Sequence, residues 1–307
     1  MQLDCAFVGV DWGTTRRRLY ALGGGGQSAG MVADEEGASA CRGRFAVALA
    51  SGLQTLHVPR PDRVVVSGMA GSSIGWQTVP YVNETVSLAD LAHHLVRVLD
   101  AQAPAPTWIV PGYCIRDHLG QPDVMRGEEV QLLGAVALGH HSGLFVLPGT
   151  HSKWVELAAG RIVQLRTYMT GELFSLLGRY GTLAATISAA SAVWDVSAFA
   201  DGVRAAQHGV LGHQLFGCRA RVVCGDMPAN SAKSFLSGLL VGSELQDALN
   251  SPFQAVQRGG LKLIGSAELA RHYQTAAALS GCEIEVIDAD TAYLAAMAHI
   301  QAQGKFE

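Results

Sequence analysis

The sequence Val8-Gly9-Val10-Asp11-Trp12-Gly13-Thr14-Thr15, near the start of the chain, predicts a turn that binds a phosphate group. An apolar run over residues 6–10 predicts a buried strand and residues 17–22 a second one, so the turn between them closes a hairpin. Gly13 lets an oxygen atom approach the backbone closely. Asp11 stands at the carboxyl end of the first strand, where a hard oxygen ligand can hold magnesium directly or through water. The backbone amides expected to face one anion are those of Gly13, Thr14 and Thr15.

A second stretch of the same type follows near the middle of the chain. Residues 144–147 form an apolar run, Pro148-Gly149-Thr150-His151 predicts a turn, and residues 152–157 predict the returning strand. One such turn alone is also explained by Asp and Thr side chains that bond to their own backbone. Two copies favour the phosphate-binding interpretation and indicate two lobes with one phosphate hairpin each. Lys153, which directly follows the second turn, is expected to be solvated.

The composition is that of a globular protein with two domains. The chain has 307 residues, of which 49% are apolar and 16% charged, and domains of about 150 residues fit that length. A net charge of −4 gives no basic surface for nucleic acid, and no apolar run approaches the length of about 18 residues that indicates a membrane span. We therefore expect neither nucleic acid nor a membrane as a partner, and small anions remain.

The cysteines and the N-terminal residues favour a cytoplasmic location. The six cysteines lie scattered, without a CxxC pair and without the spacing of a zinc site, so we interpret them as reduced thiols. The apolar residues that precede Asp11 have no basic segment in front of them, so no secretory signal is expected.

A glycine- and serine-rich loop follows the next buried strand. Residues 64–66 predict that strand, and Ser67-Gly68-Met69-Ala70-Gly71-Ser72-Ser73-Ile74-Gly75-Trp76 comes directly after it, at the strand end where open sheets bind their ligands. The loop is therefore a candidate for substrate binding, and a plain flexible connection is the alternative. Further along, residues 88–99 predict an amphipathic helix.

Two acids open a helix in Met125-Arg126-Gly127-Glu128-Glu129. Acids in a first turn commonly serve the helix dipole. The functional interpretation is that Glu128 or Glu129 is the general base that takes the proton of an attacking hydroxyl. Arg126 would neutralise transferred charge or a substrate carboxylate. The choice of base stays open, because Asp117 and Asp123 in the preceding predicted hairpin compete with both glutamates.

The second half of the chain predicts one further element of the site. Thr170 is expected to cap a helix, and residues 176–249 are largely helical in pattern. Residues 261–264 predict a strand that ends in Gly265 before a helix, a break where the adenosine of a nucleotide could lie. The same pattern is also common in ordinary strand-to-helix turns. No GxxxxGK[ST] loop and no GxGxxG fingerprint occurs.

Four blocks of sequence together resemble the 2-dehydro-3-deoxygalactonokinases, sugar kinases of the actin-like ATPase superfamily. The blocks are Val10-Asp11-Trp12-Gly13-Thr14-Thr15, Gly68-Met69-Ala70-Gly71-Ser72 with Ile74-Gly75-Trp76, Met125-Arg126-Gly127-Glu128-Glu129-Val130-Gln131-Leu132, and Leu147-Pro148-Gly149-Thr150-His151-Ser152-Lys153-Trp154-Val155. The resemblance implies a two-lobed α/β fold of the actin-like (ribonuclease H-like) ATPases, with a mixed sheet flanked by helices in each lobe. It places the active site in the cleft between lobes at residues 1–140 and 141–307, and the last helix is free to return to the first lobe.

The resemblance also implies an activity. Family members transfer phosphate from ATP to the terminal hydroxyl of 2-dehydro-3-deoxy-D-galactonate, with Mg²⁺ held by Asp11. Arg18 would meet the sugar acid's carboxylate, although Arg16 and Arg17 beside it depart from the family's commoner neutral residues. The residues implied to bind phosphate or ATP are Gly13, Thr14, Thr15, Gly149, Thr150 and Gly265. Those implied to bind the sugar acid are Arg18, Gly71, Ser72, Trp76 and Arg166, and those implied to act in catalysis are Asp11, Arg126, Glu128 and Glu129.

Three other functions stay open on the same fold. The chain could phosphorylate a different keto-deoxy sugar acid, because one hydroxyl's handedness depends on placements finer than motif spacing. It could be a phosphohydrolase of the exopolyphosphatase type, or a regulator that binds sugar acids without turnover. The partners expected in the first case are ATP and a small sugar acid, and a homodimer is one expected oligomeric state.

Overall fold

The computed structural model describes residues 7–187, 194–251, 253 and 260–306. Their strands are β1 (Phe7–Trp12), β2 (Arg17–Leu22), β3 (Ser28–Asp34), β4 (Arg63–Gly68), β5 (Val96–Arg97), β6 (Thr107–Ile109), β7 (Tyr113–Arg116), β8 (Pro122–Met125), β9 (Gly143–Leu147), β10 (Ser152–Ala158), β11 (Arg161–Tyr168), β12 (Leu261–Gly265) and β13 (Ile284–Asp288). Their helices are α1 (Phe45–Thr55), α2 (Glu128–Ala137), α3 (Thr170–Arg179), α4 (Gly181–Ala184), α5 (Val196–Ala206), α6 (Leu211–Val223), α7 (Ala232–Asn250), α8 (Ala267–Leu279) and α9 (Ala289–Gln303).

The first sheet is built around β1. Its strand order is β3-β2-β1-β4-β6-β5, with β1 antiparallel to β2 and parallel to β4. The even-numbered residues of β1 face α1 and form a core with Leu49 and Leu53 of that helix. Alternation along a strand sends the odd-numbered residues to the other face, where Tyr20 of β2 stacks on Tyr293 of α9 with ring centroids 4.8 Å apart. Asp11 is therefore on the α9 side of the sheet.

The second sheet repeats the strand roles of the first. Its order is β11-β10-β9-β12-β13. As in the first sheet, three consecutive strands form a meander, and the later strands add beside the first strand of that meander. Strand β12 pairs in parallel with both β9 and β13. Helices α5, α7 and α8 supply the core on one face, where Phe199, Val203 and Leu245 are almost fully buried. Each phosphate hairpin predicted from sequence lies at the corresponding place in its own sheet.

Contacts divide the described chain into two compact units. The first comprises Met1–Ser142, Leu157–Leu165 and Ala289–Glu307, and the second comprises Gly143–Glu156 and Arg166–Asp288. The first change of unit falls two residues after the predicted lobe boundary, and α9 groups with the first unit. No helix among the described residues has both the length and the apolar character that spanning a membrane requires.

Three local predictions from sequence are wrong. Residues 88–99 form a 3₁₀ turn (Ala89–His93) followed by the short strand β5, because β5 pairs with β6 as the last strand of the sheet, and this pairing draws the backbone into an extended form. Thr170 does not cap α3, since its hydroxyl donates to the Glu244 carboxylate. Lys153 is buried rather than solvated, and its Nζ donates to Thr167 Oγ1 at 3.0 Å.

The packing of α2 on α9 depends on a glycine. A Cβ atom built on Gly134 of α2 would lie 1.7 Å from the carbonyl oxygen of Ala292. We expect Gly134→Ala to lower the free energy of unfolding by about 1–3 kcal/mol, because one helix must move away from the other. Gly178→Ala is the matched control, since that helical glycine has no neighbour within 4 Å, and it should raise stability by up to about 1 kcal/mol. Chemical denaturation measures both, and a Gly134→Ala protein as stable as the parent would contradict the packing described.

Candidate active site

The carbonyl groups of the turn between β1 and β2 accept hydrogen bonds from the segment that follows β3. The amide of Ala38 donates to the Gly13 carbonyl at 2.9 Å, and the amide of Ser39 donates to the Thr14 carbonyl at 3.1 Å. Gly37 allows this approach, because a Cβ there would lie 2.3 Å from the backbone of Thr15. The segment after β3 therefore fixes which way the peptide groups of the turn point.

The turn between β9 and β10 is supported in the same way by the start of α3. The amide of Glu172 donates to the Thr150 carbonyl at 2.9 Å, and a Cβ on Gly171 would lie 2.3 Å from the Gly149 carbonyl oxygen. The His151 imidazole Nε2 lies 2.5 Å from the Glu172 carboxylate, which ties the end of the turn to the same helix.

Both turns leave amide groups available to an anion. Within the described residues, no backbone carbonyl accepts from the amides of the five residues predicted to bind phosphate in these turns, which are Gly13, Thr14, Thr15, Gly149 and Thr150. In each turn the carbonyl groups accept hydrogen bonds from another segment of the protein, whereas these amides have no backbone acceptor. Such amides provide the donors that phosphate oxygens need. Their role in binding ATP stays a prediction.

Asp11 lies next to Arg18 on the α9 side of the first sheet. The two residues are opposite each other in the β1–β2 pair. Burial raises the pKa of Asp11, the Arg18 guanidinium opposes that rise, and Asp290 adds to it. Among the described residues, none donates a hydrogen bond to the Asp11 carboxylate. A half-buried carboxylate whose oxygens are unused fits a single protein ligand of Mg²⁺, an ion that takes its other ligands from water and phosphate oxygens.

The three consecutive arginines have different surroundings. Arg16 is exposed and forms an ion pair with Glu35. Arg17 is buried, forms an ion pair with Asp34 at 2.6 Å and stacks on Trp12, on the face away from Asp11. Arg18 is part-exposed, lies beside Asp11 and donates to Asp290 at 3.1 Å. Of the three, Arg18 is therefore the one that shares a face with Asp11, and its contact with the sugar acid stays a prediction.

The start of α2 lies against the end of β4, beside the first turn. Gly127 has a φ of +112°, and a Cβ on it would approach Gly68 to 3.2 Å. Gly68 in turn lies against the Trp12 carbonyl, because a Cβ there would be 2.6 Å from that oxygen. This pair of glycines brings the glutamates of α2 into the neighbourhood of the first phosphate turn, within the first unit.

Glu129 is fully buried and its carboxylate is only half bonded. Its Oε2 accepts from the Gly127 amide at 2.6 Å, while its Oε1 has no hydrogen-bond partner in the described structure. Burial raises the pKa of Glu129 to about 8, the Glu128 carboxylate adds to the rise, and the Arg126 guanidinium opposes it. Glu128 instead accepts from the Arg126 amide at 3.1 Å and is part-exposed.

Arg126 extends between the predicted substrate loop and Tyr81. Its Nη2 donates to the Val79 carbonyl at 2.7 Å, and its guanidinium carbon lies 4.3 Å from the centre of the Tyr81 ring. Its Nε and Nη1 are buried and have no partner among the described residues. A Cβ on Gly71 would approach Nη1 to 2.7 Å, so Gly71 makes room for the guanidinium. The N–H groups of these two nitrogens give this arginine capacity for an anionic ligand.

The other predicted residues of the first unit have partners inside the protein. Ser72 Oγ donates to the Met69 carbonyl at 2.7 Å and closes the 3₁₀ turn of the loop. The Trp76 ring stacks on Phe45, and its indole N–H donates to Asp100 at 2.8 Å. Asp117 accepts two backbone amides in the turn between β7 and β8. Asp123 accepts the amide of Val124. A contact of Ser72 or Trp76 with the sugar acid stays a prediction.

The second unit contains a cavity of about 360 Å³ next to the second phosphate turn. Its lining includes Gly149 and Gly171, and also Trp194 and His272, whose rings stack with centroids 4.1 Å apart. Burial lowers the pKa of His272, which keeps the ring neutral. A cavity with aromatic side chains in its lining, beside a turn whose amides have no backbone acceptor, has the size and chemistry for a nucleoside phosphate.

Sequence reasoning missed most of this cavity. Gly265 was predicted to be near the adenosine, and a Cβ on it would lie 3.4 Å from Pro148 of the phosphate turn. The helix that follows it, α8, supplies Glu268 and His272, whose spacing of four residues is a signal for one helical face. Arg166 forms an ion pair with Asp247 at 3.1 Å, and its predicted role in substrate binding stays a prediction.

A family model described as 2-keto-3-deoxy-galactonokinase matches residues 11–300 of the chain. The chain belongs to this family. The 2-dehydro-3-deoxygalactonokinase of Escherichia coli strain K12 is 33% identical over 299 residues, which cover 97% of this chain and 98% of that protein. The predicted membership in the 2-keto-3-deoxy-galactonokinase family is thus confirmed.

Solved structures agree with the family and the fold. A crystal structure of a Sinorhizobium meliloti protein designated as a 2-dehydro-3-deoxygalactonokinase has 34% identity and a TM-score of 0.86, with 96% of this chain and 95% of that chain covered. Component A of the Acidaminococcus fermentans (R)-2-hydroxyglutaryl-CoA dehydratase, at 10% identity, has a TM-score of 0.51 over 97% of this chain and 96% of that chain. This chain thus has the α/β fold of the actin-like ATPases and sugar kinases, as predicted.

Proposed function

We propose that this chain transfers the γ-phosphate of ATP to the terminal hydroxyl of 2-dehydro-3-deoxy-D-galactonate. The proposal depends on one observation in a chain of this kinase family. In both turns the carbonyl groups accept hydrogen bonds from neighbouring segments, and the amides have no backbone acceptor. Turns of this kind can bind the phosphates of ATP whichever molecule accepts the phosphate, so they do not identify that molecule. The choice of sugar acid is supported by membership in the family.

The cavity of the second unit would bind the nucleoside of ATP. The Trp194–His272 pair offers an aromatic surface to a base, and Lys233, Ser237 and Glu268 offer polar groups to the ribose. The amides of Gly149 and Thr150, at the end of the cavity, would then face the phosphate chain. Gly13, Thr14 and Thr15 would bind phosphate oxygens from the first unit.

Mg²⁺ would be held by Asp11 through an oxygen or a bound water. When bound, the ion neutralises charge on the phosphates during transfer. Arg18 would keep the neighbouring Asp11 carboxylate ionised, because a cation nearby favours the charged form.

Glu128 or Glu129 would accept the proton of the sugar acid's hydroxyl as its oxygen bonds to the γ-phosphorus and ADP leaves. Arg126, whose Nε and Nη1 have no partner among the described residues, would bind either the transferred phosphoryl group or the sugar acid's carboxylate. Closure around both substrates would exclude water and limit ATP hydrolysis. The proposal also includes a cytoplasmic location, with a homodimer as one expected oligomeric state.

A coupled assay of ADP release tests the proposal. The purified protein is supplied with ATP, Mg²⁺ and, in separate reactions, 2-dehydro-3-deoxygalactonate, the gluconate epimer and other keto-deoxy sugar acids. We expect ADP release to require one of these acids and Mg²⁺, with the galactonate derivative giving the highest kcat/KM. Polyphosphate as the substrate is the control for the phosphohydrolase alternative. Release of ADP or phosphate that is indifferent to every sugar acid would rule out the kinase assignment.

A further inference from the structure

Glu244 is a buried carboxylate in the middle of α7 that the proposed reaction does not use. Its exposed fraction is 3%. Its Oε1 accepts from Ser152 Oγ at 2.6 Å, from the Trp154 indole N–H at 2.6 Å and from Tyr273 Oη at 2.9 Å. Its Oε2 accepts from Tyr273 Oη at 2.9 Å and from Thr170 Oγ1. Four side chains therefore converge on one carboxylate.

Burial and hydrogen bonding act in opposite directions on the pKa of Glu244. An indole N–H can only donate, and an ionised carboxylate can only accept. Burial raises the pKa of Glu244, and the hydrogen bonds from Ser152, Thr170, Trp154 and Tyr273 oppose the rise. The Trp154 indole N–H needs Oε1 as its acceptor, whereas the Thr170 and Tyr273 hydroxyls at Oε2 can donate or accept. Loss of the Oε1 acceptor would leave a buried donor without a partner.

The donors come from the elements that surround the candidate nucleotide site. Ser152 is two residues from Thr150 in the second phosphate turn. Thr170 begins α3, whose amide at Glu172 holds the same turn from behind. Thr170 and Tyr273 both line the cavity that would bind the nucleoside. Glu244 thus connects the phosphate turn, the helix behind it and the cavity wall.

We propose that Glu244 is a positioning residue, which holds the second phosphate turn at a fixed place relative to the nucleoside cavity. The inference rests on the proposed function, because it assumes that ATP binds both to the second phosphate turn and in the nucleoside cavity. If Glu244 sets the distance between the turn and the cavity, its loss weakens the binding of ligands that reach from the cavity to the turn. It weakens the binding of ligands that fill the cavity alone to a smaller extent. A carboxylate that only stabilises the core would affect both kinds of ligand equally.

Two variants separate these roles. Glu244→Gln keeps the size of the side chain but turns one acceptor into an N–H donor, and Ser152→Ala removes only the link to the turn. Calorimetry with ATP and with AMP gives the dissociation constants. We expect each variant to raise the Kd of ATP about tenfold or more, the size of a lost hydrogen bond to a charged group, and that of AMP less than about threefold. Asp201→Asn, an exposed acid on α5, is the control and should change neither.

The outcomes separate the inference from the proposed function. Equal losses for ATP and AMP, or no loss for either, would overturn the positioning role. If Glu244→Gln does not fold, Ser152→Ala decides, because it leaves the other three donors on the carboxylate. A parent protein that binds neither nucleotide would overturn the proposed function and the inference together, whereas normal binding by the parent with equal losses in both variants overturns the inference alone.

Discussion

Asp11→Asn is expected to lower kcat for sugar-acid phosphorylation by about 10²–10³-fold, the effect of removing one charged group that acts on the transferred phosphate. The fold should survive, because burial already opposes the charge on Asp11 and an amide of the same shape relieves that cost. The concentration of Mg²⁺ needed for half of the remaining activity should rise as well. Steady-state kinetics across a Mg²⁺ titration, together with thermal denaturation, measure the three effects.

The control for this prediction is Asp62→Asn. Asp62 is an exposed acid of the first unit, just before β4, and none of the site residues is near it in the sequence. The control should retain the parent's kcat and its Mg²⁺ dependence. A folded Asp11→Asn protein that kept the parent's kcat and Mg²⁺ dependence would show that Asp11 is not the metal ligand.

The sequence was most informative where structure depends on neighbouring residues. Both phosphate hairpins follow from an apolar run, a Gly-Thr turn and a returning strand, and each lies where it was predicted. The helix expected over residues 88–99 failed for the opposite reason. The strand β5 forms because β6, ten residues further on, offers an edge to pair with, and local periodicity carries no information about that edge.

The same limit applies to the candidate site. Thr170 and Lys153 were given the roles that their immediate surroundings favour, a cap and a solvated cation. The partner of Thr170, Glu244, lies 74 residues away in the sequence. Trp194 and His272 come together only when α8 packs beside the segment that precedes α5, so the aromatic wall of the cavity had no local signal. By contrast, Asp11 and the glutamates of α2 stood out because each begins or ends a regular element.

Glu129→Gln is expected to lower kcat by about 10²–10⁴-fold if Glu129 is the general base, since its amide cannot take a proton. The pH dependence then identifies the base. With a pKa of about 8, Glu129 is ionised in only about a tenth of the molecules at pH 7, so kcat/KM of the parent should rise with pH until about pH 8. Glu128→Gln is the matched control and should keep the rise but complete it at a lower pH, because the Glu128 carboxylate adds to the pKa of Glu129. A parent rate that levels off near pH 5 would point to a carboxylate with an ordinary pKa instead.

The stability of the parent should change with pH in the opposite direction. Glu129 has a pKa near 4.5 in the unfolded chain and about 8 in the folded one, so between these values the folded state binds more protons. Stability therefore falls as pH rises from about 4.5 to about 8, because the unfolded chain releases this proton while the folded state keeps it. Glu129→Gln cannot ionise and should lose this part of the fall, as urea denaturation at several pH values would show. A variant whose stability fell as steeply as the parent's would mean that Glu129 is ionised when the protein folds. Its Oε1 would then need a donor, and we expect Arg126 to supply it, because its Nε and Nη1 have no partner among the described residues and its charge lowers the pKa of Glu129.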